Sequence, residues 1–226
     1  MFRLILASNS PRRRELLSLL GLPFESTAVE VDETPGWNEA PAACVTRLAQ
    51  EKARQALREV QPADGMMLLT SDTIVALAGK IYGKPANAAK AREMLTSLRG
   101  REHSVLTAIT LAFPDGRGIT DLCETPVPMR NYTDAEMDAY IASGDPLDKA
   151  GAYAIQHAGF HPVDALTGCF ASVMGLPLCH AARSLTAAGI TVQPGLPARC
   201  QQKLHYQCPV YSAVLKAAPL DQEIQL

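Results

Sequence analysis

Short apolar runs alternate along the chain with longer segments in which apolar residues recur at helical spacing. The run at 4–7 predicts a strand, and the pattern from Pro11 to Leu20 predicts a helix with Ser10 as its N-cap. Further strands are expected at 24–31, 66–69, 74–78, 104–113 and 119–129, and further helices at 41–60, 87–98, 134–142 and 176–188. Strands that alternate with helices in this way predict an α/β fold.

The regular pattern breaks up after Pro194. From there the chain carries Pro, Cys and Gln with single apolar residues, whereas the 194 residues before it hold every strand and helix of the pattern above. We therefore predict one domain at 1–194 and an accessory C-terminal tail at 195–226.

Composition narrows the class of protein. Hydrophobic residues make up 47% of the 226 positions and charged residues 19%, which is typical of a soluble globular protein. A formal net charge of −2 gives no basic surface for a nucleic acid polymer. Because no run of 18 apolar residues is present and Met1–Ala7 is too short for a signal peptide, we expect no membrane partner and a cytoplasmic location.

Cysteine and histidine spacing does not favour a metal centre built from these residues. The six cysteines contain no Cys-x-x-Cys pair, so we expect free thiols, with Cys200 and Cys208 close enough in the tail to be the one exception. His157 and His161 have the spacing of a ligand pair, but they lie in a stretch containing Gly and Pro. A structural role is the expectation for both.

Three consecutive arginines, Arg12, Arg13 and Arg14, open the first helix. Each cation there is disfavoured by roughly 0.3–1 kcal/mol, because the N-terminus of a helix is the positive end of its dipole. A phosphate group on the free N–H groups would offset this cost. Solvated surface arginines explain the pattern equally well.

Four other charged residues are candidates for chemistry. Asp72 follows the apolar run 66–69, where polar groups at the end of a strand face the crevice of an α/β sheet, although a turn-forming role is the simpler alternative. Glu33 lies in a loop. Lys52 falls on the apolar face of its helix, so it either reaches water along its stem or is held by a buried anion. Lys84 is either a phosphate contact or a solvated turn residue.

Several segments in order resemble the Maf family of nucleotide pyrophosphatases over residues 3 to about 190. The opening Leu4-Ile5-Leu6-Ala7-Ser8-Asn9-Ser10-Pro11-Arg12-Arg13 looks like the signature of that family. In register after it come Val31-Asp32-Glu33, Lys52-Ala53, Ser71-Asp72-Thr73-Ile74-Val75, Gly83-Lys84-Pro85, Leu147-Asp148-Lys149-Ala150-Gly151-Ala152-Tyr153, Gln156 and Val173-Met174-Gly175-Leu176-Pro177. The segment 157–170 departs from the pattern, since Gly168-Cys169-Phe170 stands where Gly-x-Tyr is usual.

The resemblance implies an elongated α/β fold similar to that of inosine triphosphate pyrophosphatases, with a mixed twisted sheet and a cleft between two lobes. It implies that Asp72 activates water as the catalytic base, that Glu33 and Lys52 assist, and that Glu33 and Asp72 hold a divalent metal cation, Mg²⁺ or Mn²⁺. The residues implied to contact the nucleoside triphosphate substrate are Ser8, Arg12, Arg13, Lys52, Thr73, Lys84 and Gln156.

Within the family, Arg12, Thr73 and Gln156 match positions typical of the subgroup that cuts dTTP and UTP into the monophosphate and pyrophosphate. Two alternatives stay open: a pyrophosphatase for 7-methyl-GTP or another modified nucleotide, and a non-catalytic nucleotide-binding regulator of cell division. A homodimer is one option for the assembly.

Overall fold

The computed structural model describes residues 2–61, 63–217 and 223–226. The strands are β1 (Arg3–Ala7), β2 (Phe24–Thr27), β3 (Met66–Leu77), β4 (Lys80–Tyr82), β5 (Glu102–Ala112), β6 (Arg117–Pro128) and β7 (Glu223–Gln225). The helices are α1 (Pro11–Ser18), α2 (Pro41–Glu59), α3 (Ala88–Leu98), α4 (Asp134–Ala142), α5 (Phe170–Val173), α6 (Leu178–Ala187), α7 (Leu196–Leu204) and α8 (Tyr211–Lys216). The predicted α/β class is confirmed.

The described strands form one mixed sheet in the order β2-β1-β3-β5-β6-β7, and β4 pairs with β3. β1 runs parallel to both β2 and β3, whereas β3, β5, β6 and β7 pair antiparallel. Apolar side chains of α1, α5 and α6 pack at one end of this sheet, and those of α3 and α4 pack at the other. The sheet therefore joins two lobes, each with its own core.

The prediction that a strand ends before Asp72 is wrong. β3 continues unbroken from Met66 to Leu77, and Asp72 lies in its middle, opposite Ala108 of β5. The pairing between β1 and β3 stops at Leu6 and Leu69, and β1 itself ends one residue later at Ala7. β3 thus extends past the end of its parallel neighbour, and a crevice forms there because β1 stops.

Other boundaries differ from the prediction for local reasons. The second strand ends at Thr27 and not at Val31, because β2 lies at the edge of the sheet and its partner β1 ends opposite Thr27. The helix expected at 176–188 begins at Leu178 and is preceded by the four-residue helix α5. Gly175, with φ of 112°, and Pro177 separate the two helices.

The segment 144–169 contains two 3₁₀ turns, Asp145–Asp148 and Ala150–Ala152, and an isolated bridge between Met129 and Val163. The helices α7 and α8 lie within the segment 195–226, and β7 adds a strand next to β6. Leu196 of α7 is buried in the same core as α1 and α6. Across the described part of the chain, no helix is long and apolar enough to cross a membrane.

Candidate active site

A cleft of about 660 Å³ opens where β1 ends and β3 continues. It is lined by the loop after β1, the start of α1, the loop 29–33, the middle of β3 and the segments 148–156 and 173–175. Nine side chains singled out from the sequence all line this one cleft: Ser8, Arg12, Arg13, Glu33, Lys52, Asp72, Thr73, Lys84 and Gln156. Residues separated by almost 150 positions are thus brought to one place.

Lys52 lies at the floor of the cleft between two carboxylates. Its Nζ contacts Asp72 Oδ1 and donates to Glu33 Oε1 at 2.7 Å. Lys52 and Asp72 are both buried, whereas the side chain of Glu33 is 45% exposed. Of the two alternatives for Lys52, the structure therefore shows the buried anion and not a lysine that reaches water.

The charges around Glu33 keep it ionised. Partial burial alone would raise the pKa of Glu33, but the hydrogen bond and positive charge of Lys52, together with Lys84, outweigh burial and lower the pKa below its usual value. Lys84 Nζ lies 3.4 Å from Glu33 Oε2, and its side chain is 58% exposed. Lys84 therefore stands at the open side of the cleft, with its ammonium accessible to an anion.

Arg13, which also lines the cleft, is fixed at three points. Its Nε donates to Gly175 O at 2.9 Å, and its two terminal nitrogens donate to Thr73 Oγ1 at 3.3 Å and Ser8 Oγ at 3.4 Å. Burial lowers the pKa of Arg13, while the charges of Asp72 and, less strongly, Glu33 raise it. A guanidinium remains charged in proteins, so Arg13 presents a fixed cation with a planar edge.

Residue 175, whose carbonyl accepts from Arg13, has a backbone conformation that favours glycine. Its φ of 112° disfavours any side chain, and a Cβ there would lie 3.2 Å from Arg13 Nε. Ser71 Oγ also donates to Gly175 O at 2.8 Å, and Thr107 Oγ1 lies 2.9 Å from Thr73 Oγ1. Sequence reasoning did not select Ser71 or Thr107. The hydroxyl of Ser71 bonds the carbonyl that anchors Arg13, and the hydroxyl of Thr107 bonds Thr73.

The outer wall carries a second charged cluster. Lys149, also buried, donates to Asp145 O at 2.6 Å, Asp145 Oδ1 at 3.0 Å and Asp148 Oδ1 at 2.6 Å. Arg12 NH1 lies 3.8 Å from Asp148 Oδ2. In the sequence, Asp148 and Lys149 stood out only as part of a motif. The signal that could have identified the cluster is the presence of Asp145 four residues before Lys149 and Asp148 one residue before it.

Two carboxylates of the cleft, Asp72 and Glu33, fit a hard divalent cation. Mg²⁺ is commonly held by one or two carboxylates together with phosphate oxygens of a substrate. In the structure both carboxylates face the ammonium of Lys52, which lies between them. The residues described include no group of three or more His, Cys, Asp and Glu side chains arranged to hold a metal, so phosphate oxygens would have to complete such a site.

Histidines and cysteines lie apart from this chemistry. His157 Nδ1 accepts from Phe160 N at 3.0 Å and the ring packs edge-on against Tyr140, so His157 has the structural role expected of it. All six cysteines are free, as predicted, including Cys200 and Cys208.

A sequence model of the family described as Maf-like protein matches residues 3–188. A protein of Methylococcus capsulatus named dTTP/UTP pyrophosphatase is 48% identical over 188 residues, which cover 83% of this chain and 92% of that protein. A protein of Shewanella oneidensis with the same name is 44% identical over 192 residues, which cover 83% and 98% of the two chains. The matched region contains every residue assigned to the cleft.

Two solved structures align with part of this chain. The dITP/XTP pyrophosphatase of Mycobacterium abscessus aligns with 58% of this chain and 76% of its own at 18% identity and a TM-score of 0.39. The Ham1 protein of Staphylococcus aureus aligns with 57% and 72% of the two chains at 14% identity and a TM-score of 0.43. Likenesses this weak carry no argument about the cleft.

Proposed function

This chain belongs to the Maf family, and from that membership and the cleft we propose that it hydrolyses nucleoside triphosphates, above all dTTP and UTP, to the monophosphate and pyrophosphate. The observation that carries the proposal is that a buried carboxylate, Asp72, and two cations held in place, Lys52 and Arg13, line one cleft. The names of the relatives at 48% and 44% identity support the choice of substrate.

In the proposed reaction, water attacks the α-phosphorus of the bound nucleotide. A new P–O bond forms to the water oxygen, the bond between the α-phosphorus and the bridging oxygen breaks, and pyrophosphate leaves with the electron pair. Asp72 accepts the proton of the water, because it is a carboxylate at the cleft floor held by Lys52. Arg13 and Lys84 stabilise the negative charge that accumulates on the phosphate oxygens.

Lys52 helps to keep Glu33 ionised and orients both Glu33 and Asp72 before substrate binds. Ser8 supports Arg13 and offers its hydroxyl to the phosphate chain. We include a divalent cation, Mg²⁺ or Mn²⁺, held by Asp72 and Glu33; when bound it would neutralise phosphate charge. Gln156 lies at the exposed rim of the cleft, and with Arg12 and Thr73 we assign it to selection of the base.

The proposal includes a cytoplasmic location, because nucleoside triphosphate pools are found there, and a free nucleotide as substrate, because a net charge of −2 does not favour a nucleic acid polymer. A homodimer stays a prediction, and light scattering on the purified chain measures it.

Pyrophosphate release with Mg²⁺ or Mn²⁺ from dTTP, UTP, CTP, GTP and 7-methyl-GTP tests the proposal. Release from dTTP and UTP well above the other nucleotides is expected. Preferential release from 7-methyl-GTP would contradict the choice of substrate, and release from none of the five would contradict hydrolysis and favour a binding protein.

Gln156→Ala tests the assignment of base selection. The ratio of kcat/KM between dTTP and GTP is expected to fall roughly tenfold while the rate at saturating dTTP changes little, because one hydrogen bond to a base contributes about 1 kcal/mol or more to discrimination. An equal loss on both nucleotides would remove Gln156 from specificity.

A further inference from the structure

The tail beyond the family match contacts the segment that leads to the Arg13 anchor. The family match ends at residue 188, and Tyr206 follows α7 well beyond it. The single hydroxyl proton of Tyr206 is shared between two carbonyl oxygens, Leu166 O at 3.0 Å and Gly168 O at 2.9 Å. Its ring packs against Phe170, with 5.5 Å between the centroids. Tyr206 therefore holds the backbone that leads into α5 and the side chain of Phe170, the first residue of that helix.

A continuous set of hydrogen bonds connects this point with Arg13. Cys169 is the N-cap of α5 and accepts from Ser172 N at 3.4 Å. The far end of α5 is closed by Gly175 N, which donates to Ala171 O at 3.1 Å and Ser172 O at 2.8 Å. The carbonyl of Gly175 then accepts from Arg13 Nε. Any movement of α5 along its axis would move the acceptor that orients the guanidinium.

A second set of bonds joins α5 to the same guanidinium. Thr107 Oγ1 donates to Ser172 O at 2.8 Å and lies 2.9 Å from Thr73 Oγ1, to which Arg13 donates. Two of the three anchors of Arg13 therefore depend on where α5 lies. The third, Ser8, belongs to the loop between β1 and α1.

The tail is itself tied to the helix that carries Arg13. Arg199 Nε donates to Leu19 O, just beyond the end of α1, at 2.9 Å, and Lys203 forms an ion pair with Glu15 of α1. The turn after α7 is closed by Tyr206 N, which donates to Gln201 O at 3.2 Å. One side of α7 thus holds α1 and its C-terminal end holds the start of α5.

We propose that Tyr206 is a positioning residue for Arg13, and that the tail sets the affinity of the cleft for the phosphate chain by fixing α5 relative to α1. The inference rests on the proposed function in so far as Arg13 binds phosphate. Tyr206 lies in the accessory segment and does not line the cleft. It acts through the carbonyls of Leu166 and Gly168.

Tyr206→Phe tests this inference because it removes the hydroxyl and keeps the ring contact with Phe170. The KM for dTTP is expected to rise roughly three- to tenfold, with kcat within about twofold, since about 1 kcal/mol of hydrogen bonding is lost from the support of a binding group. Tyr211→Phe is the matched control. It removes another hydroxyl of the same tail, and this hydroxyl has no hydrogen-bond partner among the described residues. It is expected to leave KM unchanged.

A double-mutant cycle with Arg13→Lys separates positioning from general loosening of the protein. Lysine keeps the charge but lacks the Nε–H that Gly175 O accepts, so the location of Gly175 should no longer matter. In the Arg13→Lys background, Tyr206→Phe is expected to change KM by less than about twofold. Independent, additive losses, or an unchanged KM in the single variant, would overturn the inference.

Calorimetric titration with inorganic pyrophosphate gives a readout that does not need turnover. The same non-additive pattern is expected in the dissociation constants, and thermal unfolding of each variant checks that it is folded. If the dissociation constants of the wild type and the variants show this pattern but the wild type cleaves no triphosphate, the proposed function fails and the positioning role stands. If the wild type binds no pyrophosphate, Arg13 is not a phosphate ligand and the inference fails with it.

Discussion

Lys52 and Lys149 are alike in three respects and differ in a fourth. Each is 7% exposed, each contacts two carboxylates, and each lines the same cleft. The partners of Lys52 are 19 and 20 residues away in the sequence, on a loop and on β3. The partners of Lys149 are four residues and one residue away, within a single 3₁₀ turn.

The number of acceptors separates the two lysines further. An ammonium has three N–H groups. Lys149 has three acceptors, one of them the backbone carbonyl of Asp145, so its donors are all used inside the protein. Lys52 has two acceptors among the described residues, so one donor is left for a ligand. We therefore expect chemistry at Lys52, whose partners come from distant elements and leave one donor free, and a structural role for Lys149.

Replacing one carboxylate in each cluster gives the largest contrast. Asp72→Asn is expected to reduce the rate of pyrophosphate release from dTTP by about 10³-fold, within the range for loss of a proton acceptor, while nucleotide binding remains. Asp145→Asn, the matched change around Lys149, should keep the rate within a few fold. Wild-type turnover in Asp72→Asn, or an equal loss in Asp145→Asn, would break the comparison.

Lys52→Met and Lys149→Met extend the contrast to the cations. Lys52→Met leaves the buried Asp72 without its partner and should lower turnover about 10²-fold, because Asp72 and Glu33 lose the charge that orients them. Lys149→Met should lower the free energy of unfolding by about 1–3 kcal/mol, because two carboxylates and a carbonyl lose a donor, with little effect on kcat. Chemical unfolding and initial rates of both variants measure this. A kcat loss as large in Lys149→Met would place the second cluster in the reaction.

The fall in the free energy of unfolding at acid pH is expected to come from His103, a buried residue of β5. His103 donates or accepts a hydrogen bond with Tyr153 at 2.8 Å, and burial lowers the pKa of His103 to about 4. In the unfolded chain His103 takes up a proton as pH falls below about 6.5, whereas in the folded chain it does so only near pH 4. The free energy of unfolding that is present above pH 6.5 therefore decreases as pH falls through this range. The slope is about 1.4 kcal/mol per pH unit between those two pKa values.

His103→Gln should remove that slope, although it also lowers stability at neutral pH. Unfolding free energies measured from pH 7 to pH 4 in both proteins test the assignment. Parallel curves would show that another group causes the acid sensitivity.

Most helices and strands before Pro194 followed from periodicity, because apolar spacing and caps are local, whereas β4 and α5 did not. Ser10 caps α1, and the helices 41–60 and 134–142 lie within a residue of their predicted bounds. The extent of β3 could not be predicted, since Thr70, Ser71 and Asp72 are polar and resemble a strand end. These residues lie buried inside the strand, because β5 pairs with β3 continuously from Leu68 to Ala76.

The candidate site was predictable in content but not in arrangement. A resemblance to a family selected nine residues that line one cleft, and their roles stay predictions until variants are assayed. No spacing rule connects Lys52 with Asp72, nor Gly175 with Arg13, because those contacts arise from packing between distant elements. Contacts of the tail with α5 follow from no motif at all, since the match to the family ends before them.

The contact between Arg12 and the cluster around Lys149 gives the smallest expected effect. Arg12 and Asp148 lie 3.8 Å apart with side chains that are 28% and 70% exposed, so their ion pair contributes at most about 1 kcal/mol. Asp148→Asn releases Arg12 and removes a negative charge from the path of a triphosphate. The KM for dTTP should therefore fall up to roughly threefold, and less at high salt, where exposed charges are screened. A KM that rises by an order of magnitude would mean that Asp148 serves the substrate or its cation, and the second cluster would then take part in the reaction, as we propose for the first.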